Sequence, residues 1–226
     1  MGRIRNAIRK WKLNRKTPDQ VFSAYYHKNK WGDEDSRSGK GSNLESTSSL
    51  RNKLPALVQD LGIKSFLDLP CGDYFWLQHV DLGDVQYTGG DIVADIIEDN
   101  RRNFSKDGVT FEVIDLIAGP VPKHDLIFTR DCLVHFSTQH VKAAMNNIKN
   151  SGSEWLLTTT FPGASTNQDI STGQWRAIDL EQPPFHFPDP VLLLDEGQEH
   201  VRGQIAGKKL GLWRVEDISD FKDLDT

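Results

Sequence analysis

Residues 65–76, SFLDLPCGDYFW, decide the fold of this chain. The apolar run from Phe66 to Leu69 predicts a buried strand. The turn from Pro70 to Asp73 predicts a tight loop, and we expect a helix after it. Because ligands bind at the carboxyl ends of the strands in an open parallel sheet, this loop is the expected ligand site.

Strand and helix patterns alternate along the rest of the chain. Further apolar strand patterns lie at 85–91, 110–116, 125–129 and 154–160. Helical spacing of apolar residues lies at 18–29, 46–61, 93–104 and 138–150, with Ser137 as the expected N-cap of the last. This alternation predicts an α/β fold, a doubly wound, mostly parallel sheet with helices on both faces.

Length and cysteine content limit the class of protein. A chain of 226 residues fits one large α/β domain. Cys71 and Cys132 are its two cysteines, so there is no disulfide framework, and we expect a reducing, cytoplasmic setting. The longest apolar stretches fall far short of the roughly 20 residues that a membrane-spanning helix needs.

The charge is unevenly distributed. Residues 1–16 contain seven of the 27 Lys and Arg residues and no acid, and the rest of the chain is acidic. An acidic body binds phosphate backbones poorly, so a nucleic acid is not an expected partner. The basic arm is either solvated or a helix that contacts a membrane surface or a partner, and the expected single domain is 17–226.

Two features before the first strand have two interpretations each. The stretch 38–42, SGKGS, either wraps a small ligand with backbone N–H groups or is a plain loop, and it lacks P-loop spacing. Arg51, on the first half of the 46–61 helix, either faces the ligand or is a surface cation.

An acid stands at the end of each of the first three parallel strands. These acids are Asp68, Asp91 and Asp115. An acid about 20 residues after the first turn binds ribose hydroxyls in doubly wound sheets, which suits Asp91. Asp115 can meet an adenine amino group. One such acid is weak evidence because Asp is common in turns, but three in sequence indicate a nucleoside.

The first loop argues against a dinucleotide. The NAD fingerprint uses several glycines so that a pyrophosphate can approach the backbone. Here Gly72 is the one glycine of the loop, and we expect Tyr74, Phe75 and Trp76 to crowd the helix entry. S-adenosylmethionine carries an adenosine, a sulfonium and an amino-acid tail but no phosphate, so it fits this loop better.

The stretch Asp68–Tyr74 resembles the first motif of class I S-adenosylmethionine-dependent methyltransferases, acid-x-Gly-x-Gly-x-Gly after an apolar strand. The middle glycine is kept as Gly72, whereas Pro70 and Tyr74 replace the outer two. The resemblance runs from about residue 45 to the end. It implies a Rossmann-like fold of seven strands with an antiparallel end, and S-adenosylmethionine as cofactor. The expected cofactor contacts are Asp68, Pro70, Cys71, Gly72, Asp91, Ile92, Asp115, Leu116, Arg130 and Arg51.

A narrower resemblance is to small sugar O-methyltransferases of bacterial and viral glycan pathways. The matching stretches are LDLPCGDYFW, GGDIV, RDCLVHFS, LLTTTF and the N-x-D-I-x-x-G-x-W-R pattern at 167–176. This resemblance implies that the acceptor is a hydroxyl of a sugar or glycan. Another small-molecule acceptor, a catalytically idle cofactor-binding module and a nicotinamide-dependent oxidoreductase remain the alternatives.

A hydroxyl acceptor loses its proton as the new bond forms, so a general base is expected. Asp131 and His135 follow the fourth strand and are four residues apart, which places both on one face if the segment is helical. We assign His135 as the base and Asp131 as its orienter or as a direct proton acceptor. The alternatives are a structural histidine and a turn-capping acid.

The insertion at about 161–190 is the expected acceptor platform. Aromatic rings stack on sugar faces, and amide, acid and guanidinium groups bind hydroxyls. The candidate acceptor contacts are Asn167, Asp169, Trp175 and Arg176. The alternative is a packed connection. No close spacing of metal ligands occurs, so no metal is expected.

Overall fold

The computed structural model describes residues 11, 13–164, 166–196 and 207–221. Most of the predicted basic arm, residues 1–10 and 12, lies outside these ranges, so its membrane or partner contact remains a prediction. None of the helices in the described ranges combines the length and the apolarity that crossing a bilayer requires.

One sheet organises the described chain. Its strands are β1 (Ser65–Asp68), β2 (Gln86–Asp91), β3 (Val109–Val113), β4 (Leu126–Thr129), β5 (Trp155–Thr160), β6 (Leu192–Asp195) and β7 (Lys209–Arg214). They lie side by side in the order β3-β2-β1-β4-β5-β7-β6. Neighbouring strands from β1 to β5 are parallel, and β7 runs antiparallel to both β5 and β6. The expected doubly wound sheet with an antiparallel end is confirmed.

The α-helices of the described residues are α1 (Pro18–His27), α2 (Ser48–Asp60), α3 (Ala94–Phe104) and α4 (Thr138–Asn150). The Ser137 hydroxyl accepts a hydrogen bond from the backbone N–H of His140, so the predicted N-cap of α4 is confirmed. Thr17 and Gln20 form a reciprocal capping box at the start of α1. Pro55 lies inside α2 without ending it.

Apolar cores cover both faces of the sheet. Successive side chains of a strand point to opposite faces, so Phe66 and Leu67 enter different cores. Phe66 packs in the core that contains Leu54 of α2. Leu67 packs with Ile127 of β4 and Met145 of α4. The central strands are therefore buried on both sides, and their carboxyl ends remain for a site.

No α-helix follows the first loop, contrary to our expectation. The chain forms only a short 3-10 turn, Leu77–His79. Tyr74 has a φ of 55°, in the left-handed region, which a right-handed helix does not tolerate. Its buried ring lies 5.0 Å from the ring of Tyr87 and 5.2 Å from that of Phe111. Tyr74 thus packs in the core and not at the loop entry.

The insertion at 161–190 is chiefly a packed connection. Its described residues form neither an α-helix nor a strand. Ile178, Leu180, Phe185 and Phe187 are buried in the core on the α4 face of the sheet. Most of its apolar side chains therefore stabilise the fold, and only part of the segment is available to a ligand.

Candidate active site

A cavity of about 580 Å³ opens at the carboxyl ends of β1, β2 and β4. This size is in the range of small-molecule sites. We call one side the acidic half, lined by Asp68, Asp91 and Asp115 with the loop 70–73. We call the other side the aromatic half, which is lined by Phe22, Trp31, His135, Phe136, Phe161 and Trp175.

The first loop is held closed around Gly72, which has a φ of 54°. A Cβ at this position would lie 2.1 Å from the hydroxyl oxygen of Ser38, so no side chain fits. The Gly72 N–H donates to Asp91 Oδ2 at 3.2 Å, and Asn100 Nδ2 donates to the Gly72 carbonyl at 2.7 Å. The predicted contacts Pro70 and Cys71 line the cavity beside it.

The three predicted acids meet at the cavity. Asp91 is buried and also accepts from the Val93 N–H at 2.9 Å, and burial raises its pKa to about 6. Asp68 accepts from the Tyr87 hydroxyl at 2.9 Å, and burial raises its pKa to about 8. Asp115 lies two residues after β3, and its Oδ1 caps the turn at Ile117.

The other predicted cofactor contacts divide into two groups. Ile92, Leu116 and Arg130 line the cavity as expected. Arg51 does not line the cavity, so the structure does not bring it together with the other predicted cofactor contacts. Its Nη2 donates to the backbone carbonyl of Leu44 at 3.0 Å, outside the cavity, because its position on α2 faces the preceding turn and not the strand ends.

A segment that we call the strap, residues 36–42, lies along the cavity and is held by Asp73. The hydroxyls of Ser36 and Ser38 donate to Asp73 Oδ1 at 3.0 and 3.1 Å. The Arg37 N–H donates to Asp73 Oδ2 at 2.8 Å. Residues 37–42 line the cavity, so the SGKGS stretch is placed where it can wrap a ligand.

Asp131 belongs to a cluster of charged side chains at the cavity wall. Lys208 Nζ lies 2.6 Å from Asp131 Oδ2 and 3.3 Å from Glu196 Oε1. Arg130 Nε donates to Glu196 Oε2 at 2.7 Å. Burial opposes ionisation of Asp131, but Lys208 and Arg130 outweigh it and lower the pKa to about 2. So acidic a carboxyl group is a poor base at neutral pH, which argues against Asp131 as the proton acceptor.

His135 has a defined tautomer. It ends the 3-10 turn Leu133–His135, and its Nδ1 lies 2.9 Å from the Gln174 carbonyl oxygen. A carbonyl only accepts, so Nδ1 carries the proton and Nε2 holds a lone pair. Burial lowers the pKa of His135, which keeps the ring neutral at pH 7. Gln174, and not Asp131, therefore orients the ring.

The predicted helical face shared by Asp131 and His135 does not form. Asp131 has a φ of 53° and precedes the 3-10 turn, so it lies outside the helical piece. Its backbone N–H donates to the Thr159 hydroxyl at 2.9 Å, which anchors it to the end of β5. Both side chains still line the same cavity.

Trp175 is the one predicted acceptor contact of the four that lines the cavity. Its ring meets that of Phe161 edge to face at 5.9 Å, and 45% of the residue is exposed. On the same half, the ring of Trp31 lies 6.0 Å from that of His135. An exposed aromatic wall thus stands beside the candidate base.

The other three predicted acceptor contacts have partners in the fold instead. Asn167 Nδ2 donates to the Asp179 carbonyl at 2.7 Å. Asp169 Oδ1 accepts from the Thr138 N–H at 2.7 Å and so caps α4. Arg176 is buried and donates to a backbone carbonyl. None of the three lines the cavity, because their polar groups bind backbone groups of the insertion, of the start of α4 and of Phe136.

Several residues that line or support the cavity were not predicted as site residues from the sequence. Glu196 and Lys208 reach the cluster through the antiparallel pair β6–β7, a long-range pairing. Asn100 lies at an apolar spacing position of α3, although its amide holds the loop. Across the described ranges, no three His, Cys, Asp or Glu side chains are grouped to hold a metal ion.

No protein-family model matches the sequence, and no curated protein matches it significantly. Solved structures do match the fold. Human N-acetylserotonin methyltransferase, solved with S-adenosylmethionine, aligns at 14% identity and a TM-score of 0.55 over 74% of this chain and 52% of its own. Magnesium protoporphyrin IX methyltransferase of Synechocystis PCC 6803, also with S-adenosylmethionine, aligns at 15% identity and a TM-score of 0.51, covering 68% of this chain and 81% of its own. This chain thus spans about half the length of the human enzyme. It has the class I S-adenosylmethionine-dependent methyltransferase fold.

Proposed function

We propose that this chain is an S-adenosylmethionine-dependent O-methyltransferase that acts on a hydroxyl of a sugar or glycan. One observation carries the proposal. The same cavity holds a neutral histidine with a free Nε2 lone pair, His135, and a set of carboxyl groups at the strand ends. The two similar structures described above are both named methyltransferases and both contain S-adenosylmethionine.

The acidic half fits the donor. Asp91 and Asp115 offer acceptors for ribose hydroxyls and an adenine amino group, and Ile92 and Leu116 supply apolar walls for the base. The absence of a side chain at Gly72 lets Ser38 of the strap pack against the loop that lines this half. Asp68 offers a carboxyl group to the cationic tail. S-adenosylmethionine supplies, when bound, a methyl group on a sulfonium that a nucleophilic oxygen can attack.

The chain's own residues would then remove the proton of the acceptor hydroxyl and position the acceptor. His135 Nε2 takes the proton of the acceptor hydroxyl as the oxygen–methyl bond forms, and the sulfonium becomes a neutral thioether. Asp131 stays ionised and accepts a hydrogen bond from a second hydroxyl. The strap covers the donor and excludes water. Positioning of this kind accounts for several kcal/mol of a methyl-transfer barrier, about 7 to 11 at best.

The aromatic half supports a sugar acceptor. Trp31 and Trp175 present ring faces and edges of the kind that stack on the apolar faces of sugar rings. Asp131 and Lys208 provide an acceptor and a donor for the hydroxyls around such a ring. A sugar with adjacent hydroxyls can therefore contact the aromatic wall, Asp131 and His135 together.

Donor binding is tested by calorimetry of the purified chain with S-adenosylmethionine, with its demethylated product and with NAD. We expect binding of the first two and none of NAD. If the chain binds NAD and neither of the other two ligands, the proposal is wrong and an oxidoreductase is indicated. Transfer of a labelled methyl group to a panel of sugars, glycans and aromatic alcohols then identifies the acceptor class. Labelling of aromatic alcohols alone would overturn the sugar assignment, and no labelling would indicate a binding module.

The base is tested with His135→Gln. We expect the transfer rate to fall by about 10²–10⁴-fold, because proton removal by a positioned base contributes that much. Donor affinity should stay within about twofold, since the ring lies in the aromatic half. His124→Gln is the matched control, because that ring bonds Thr88 outside the cavity. A His135→Gln variant that transfers at the full rate contradicts the assignment.

A further inference from the structure

Residues 173–176, which we call the clasp, hold the backbone that carries His135. The Gly173 N–H donates to the His135 carbonyl at 2.8 Å, and the Arg176 N–H donates to the Val134 carbonyl at 3.0 Å. The Gln174 carbonyl accepts from the His135 ring. The clasp therefore contacts the base through both its backbone and its ring.

The Arg176 side chain adds a contact on the other side of the base. Its Nη1 donates to the Phe136 carbonyl at 2.6 Å. Together with its backbone N–H on Val134, this single residue binds the carbonyls immediately before and after His135. A rotation of the backbone at His135 would break both bonds.

A buried arginine costs stability if its side chain serves only to bond one carbonyl. The residue is only 7% exposed, and burial lowers its pKa to about 10. Its Nε and Nη2 have no hydrogen-bond partner among the described residues. An incompletely bonded buried charge costs stability, and apolar residues of similar size often replace such groups without loss. Stability alone therefore does not account for an arginine here.

We propose that Arg176 is a positioning residue for the base, which holds His135 with Nδ1 on the Gln174 carbonyl and Nε2 as the proton acceptor. The inference rests on the proposed function for its catalytic meaning. The structural part of the inference, that His135 has one fixed tautomer, does not depend on methyl transfer. Arg176 thus acts through His135, and not on an acceptor as the sequence suggested.

The charges that face His135 define what the change should do to its titration. Asp131 raises its pKa, whereas Lys30 and Arg176 lower it in addition to burial. The charged group that faces Arg176 is Asp169. Removal of Arg176 removes one of two nearby cations, so the pKa of His135 should rise toward its ordinary value of about 6.5.

The clasp has anchors besides Arg176, so loss of this side chain should loosen the clasp around His135 without unfolding the chain. The Tyr25 hydroxyl of α1 donates to the Gly173 carbonyl at 2.7 Å. Gly173 has a φ of 94°, and a Cβ there would lie 2.5 Å from Val21 Cγ1, so α1 packs directly on it. We therefore expect Arg176→Met to fold.

The experiment follows the ring nitrogens of His135 by ¹H–¹⁵N NMR of the full chain, with signals assigned by comparison with His135→Gln. In the wild type we expect the Nδ1–H tautomer and a titration midpoint below about 6.5. In Arg176→Met we expect a mixture of tautomers and a raised midpoint, because one of the charges that lower the pKa of His135 is gone. Arg176→Lys, which keeps the charge, should restore most of the midpoint.

Arg101→Met is the matched control, because Arg101 Nε also donates to a backbone carbonyl, that of Phe111, outside the cavity. It should leave the His135 signals unchanged. If Arg176→Met proves too unstable, Arg176→Gln removes the charge and keeps an N–H donor, and the midpoint should rise in the same direction. A wild-type tautomer and midpoint in both neutral variants overturn the proposal.

Kinetics separate this inference from the proposed function. With an active acceptor, Arg176→Met should lower kcat by about 10-fold or more and shift the acid limb of the pH profile upward, with the KM for the donor within about twofold. A chain without methyl transfer would refute the function while the NMR result still tests Arg176. Conversely, an altered tautomer with an unchanged kcat would show that Arg176 orients His135 but does not contribute to the reaction.

Discussion

Asp68 ends β1 under the cavity with its carboxyl group buried against the Tyr87 hydroxyl. Burial raises its pKa to about 8, so the side chain holds a proton at neutral pH that an unfolded chain would release. A cationic ligand tail next to it would favour the ionised form. The residue therefore links the proton balance of the folded chain to the charge of whatever fills the acidic half.

Asp68→Asn should change how stability depends on pH. Between about pH 4 and pH 8 the folded Asp68 binds a proton and the unfolded one does not, so this residue's contribution falls as pH rises, by up to about 1.4 kcal/mol per unit. Asn keeps the shape without the titration. We expect the melting temperature of the variant, relative to that of the wild type, to rise as the pH increases through this window. Calorimetry without ligand measures this difference.

The contribution of Asp125 to stability should depend on pH in the opposite direction to that of Asp68. Burial is outweighed there by hydrogen bonds from the Lys64 and Ser65 N–H groups, and the pKa is lowered. Its contribution is therefore present at neutral pH and lost as the pH falls, so Asp125→Asn should destabilise the chain most at neutral pH. For Asp68, melting temperatures of the wild type and Asp68→Asn that change with pH in parallel would contradict its raised pKa.

The sequence indicates some of these residues and not others for a physical reason. Asp68 and Asp91 follow apolar strands, and the carboxyl ends of parallel strands necessarily meet. The partners of Asn167 and Asp169 depend on where a helix end and a turn carbonyl lie after folding, which local pattern does not encode. The tautomer of His135 likewise depends on a carbonyl of the distant insertion.

Among the elements, the strap is held to the site largely by hydrogen bonds to Asp73, a residue of the first loop. Arg37 also lies over the ring of Tyr26, 5.2 Å from its centroid. Segments held in this way open at low free-energy cost, which suits a cover that must admit and release a ligand. The sequence left 38–42 as a ligand wrap or a plain loop, and its place beside the cavity depends on Asp73, in another loop.

Asp73→Ala should loosen the strap. Loss of even one hydrogen bond to a carboxylate, at about 1.5 kcal/mol, corresponds to about a tenfold change in an equilibrium. We expect donor affinity to weaken by about tenfold or more, measured by calorimetry. Trypsin should also cleave faster after Arg37 and Lys40, both exposed on the strap.

Asp81→Ala is the control for this measurement, since Asp81 accepts only a turn N–H, that of Gly83, outside the cavity. It should leave both the affinity and the cleavage rate unchanged. Equal cleavage of the strap in Asp73→Ala and the wild type would show that other contacts hold it.

At the scale of the whole molecule, the sheet separates two cores and joins the halves of the site. Hydrophobic periodicity is sufficient to predict the alternating strands and helices, because the central strands β1, β4 and β5 are buried on both sides. It does not predict that the β6–β7 pair brings Glu196 and Lys208 beside Asp131. That contact depends on pairing between residues far apart in sequence.

Phe66→Ala should destabilise the whole domain. Phe66 is fully buried in the core that contains α2, and removal of such a ring costs about 3–5 kcal/mol. Val113→Ala, at a residue that is 52% exposed on β3, should stay within about 0.5 kcal/mol. Denaturant titration followed by fluorescence and by circular dichroism should show one shared transition in both variants. Separate transitions would mean that the two faces of the sheet unfold independently.

The contact between Gly72 and Ser38 has a practical consequence for engineering. The space that a side chain at 72 would need is filled by an oxygen from the strap. A chimera of this chain with another must therefore take positions 38 and 72 from the same parent. Mixed parents would place a methyl group against a hydroxyl, and the pocket would lose its cover even though every strand had formed.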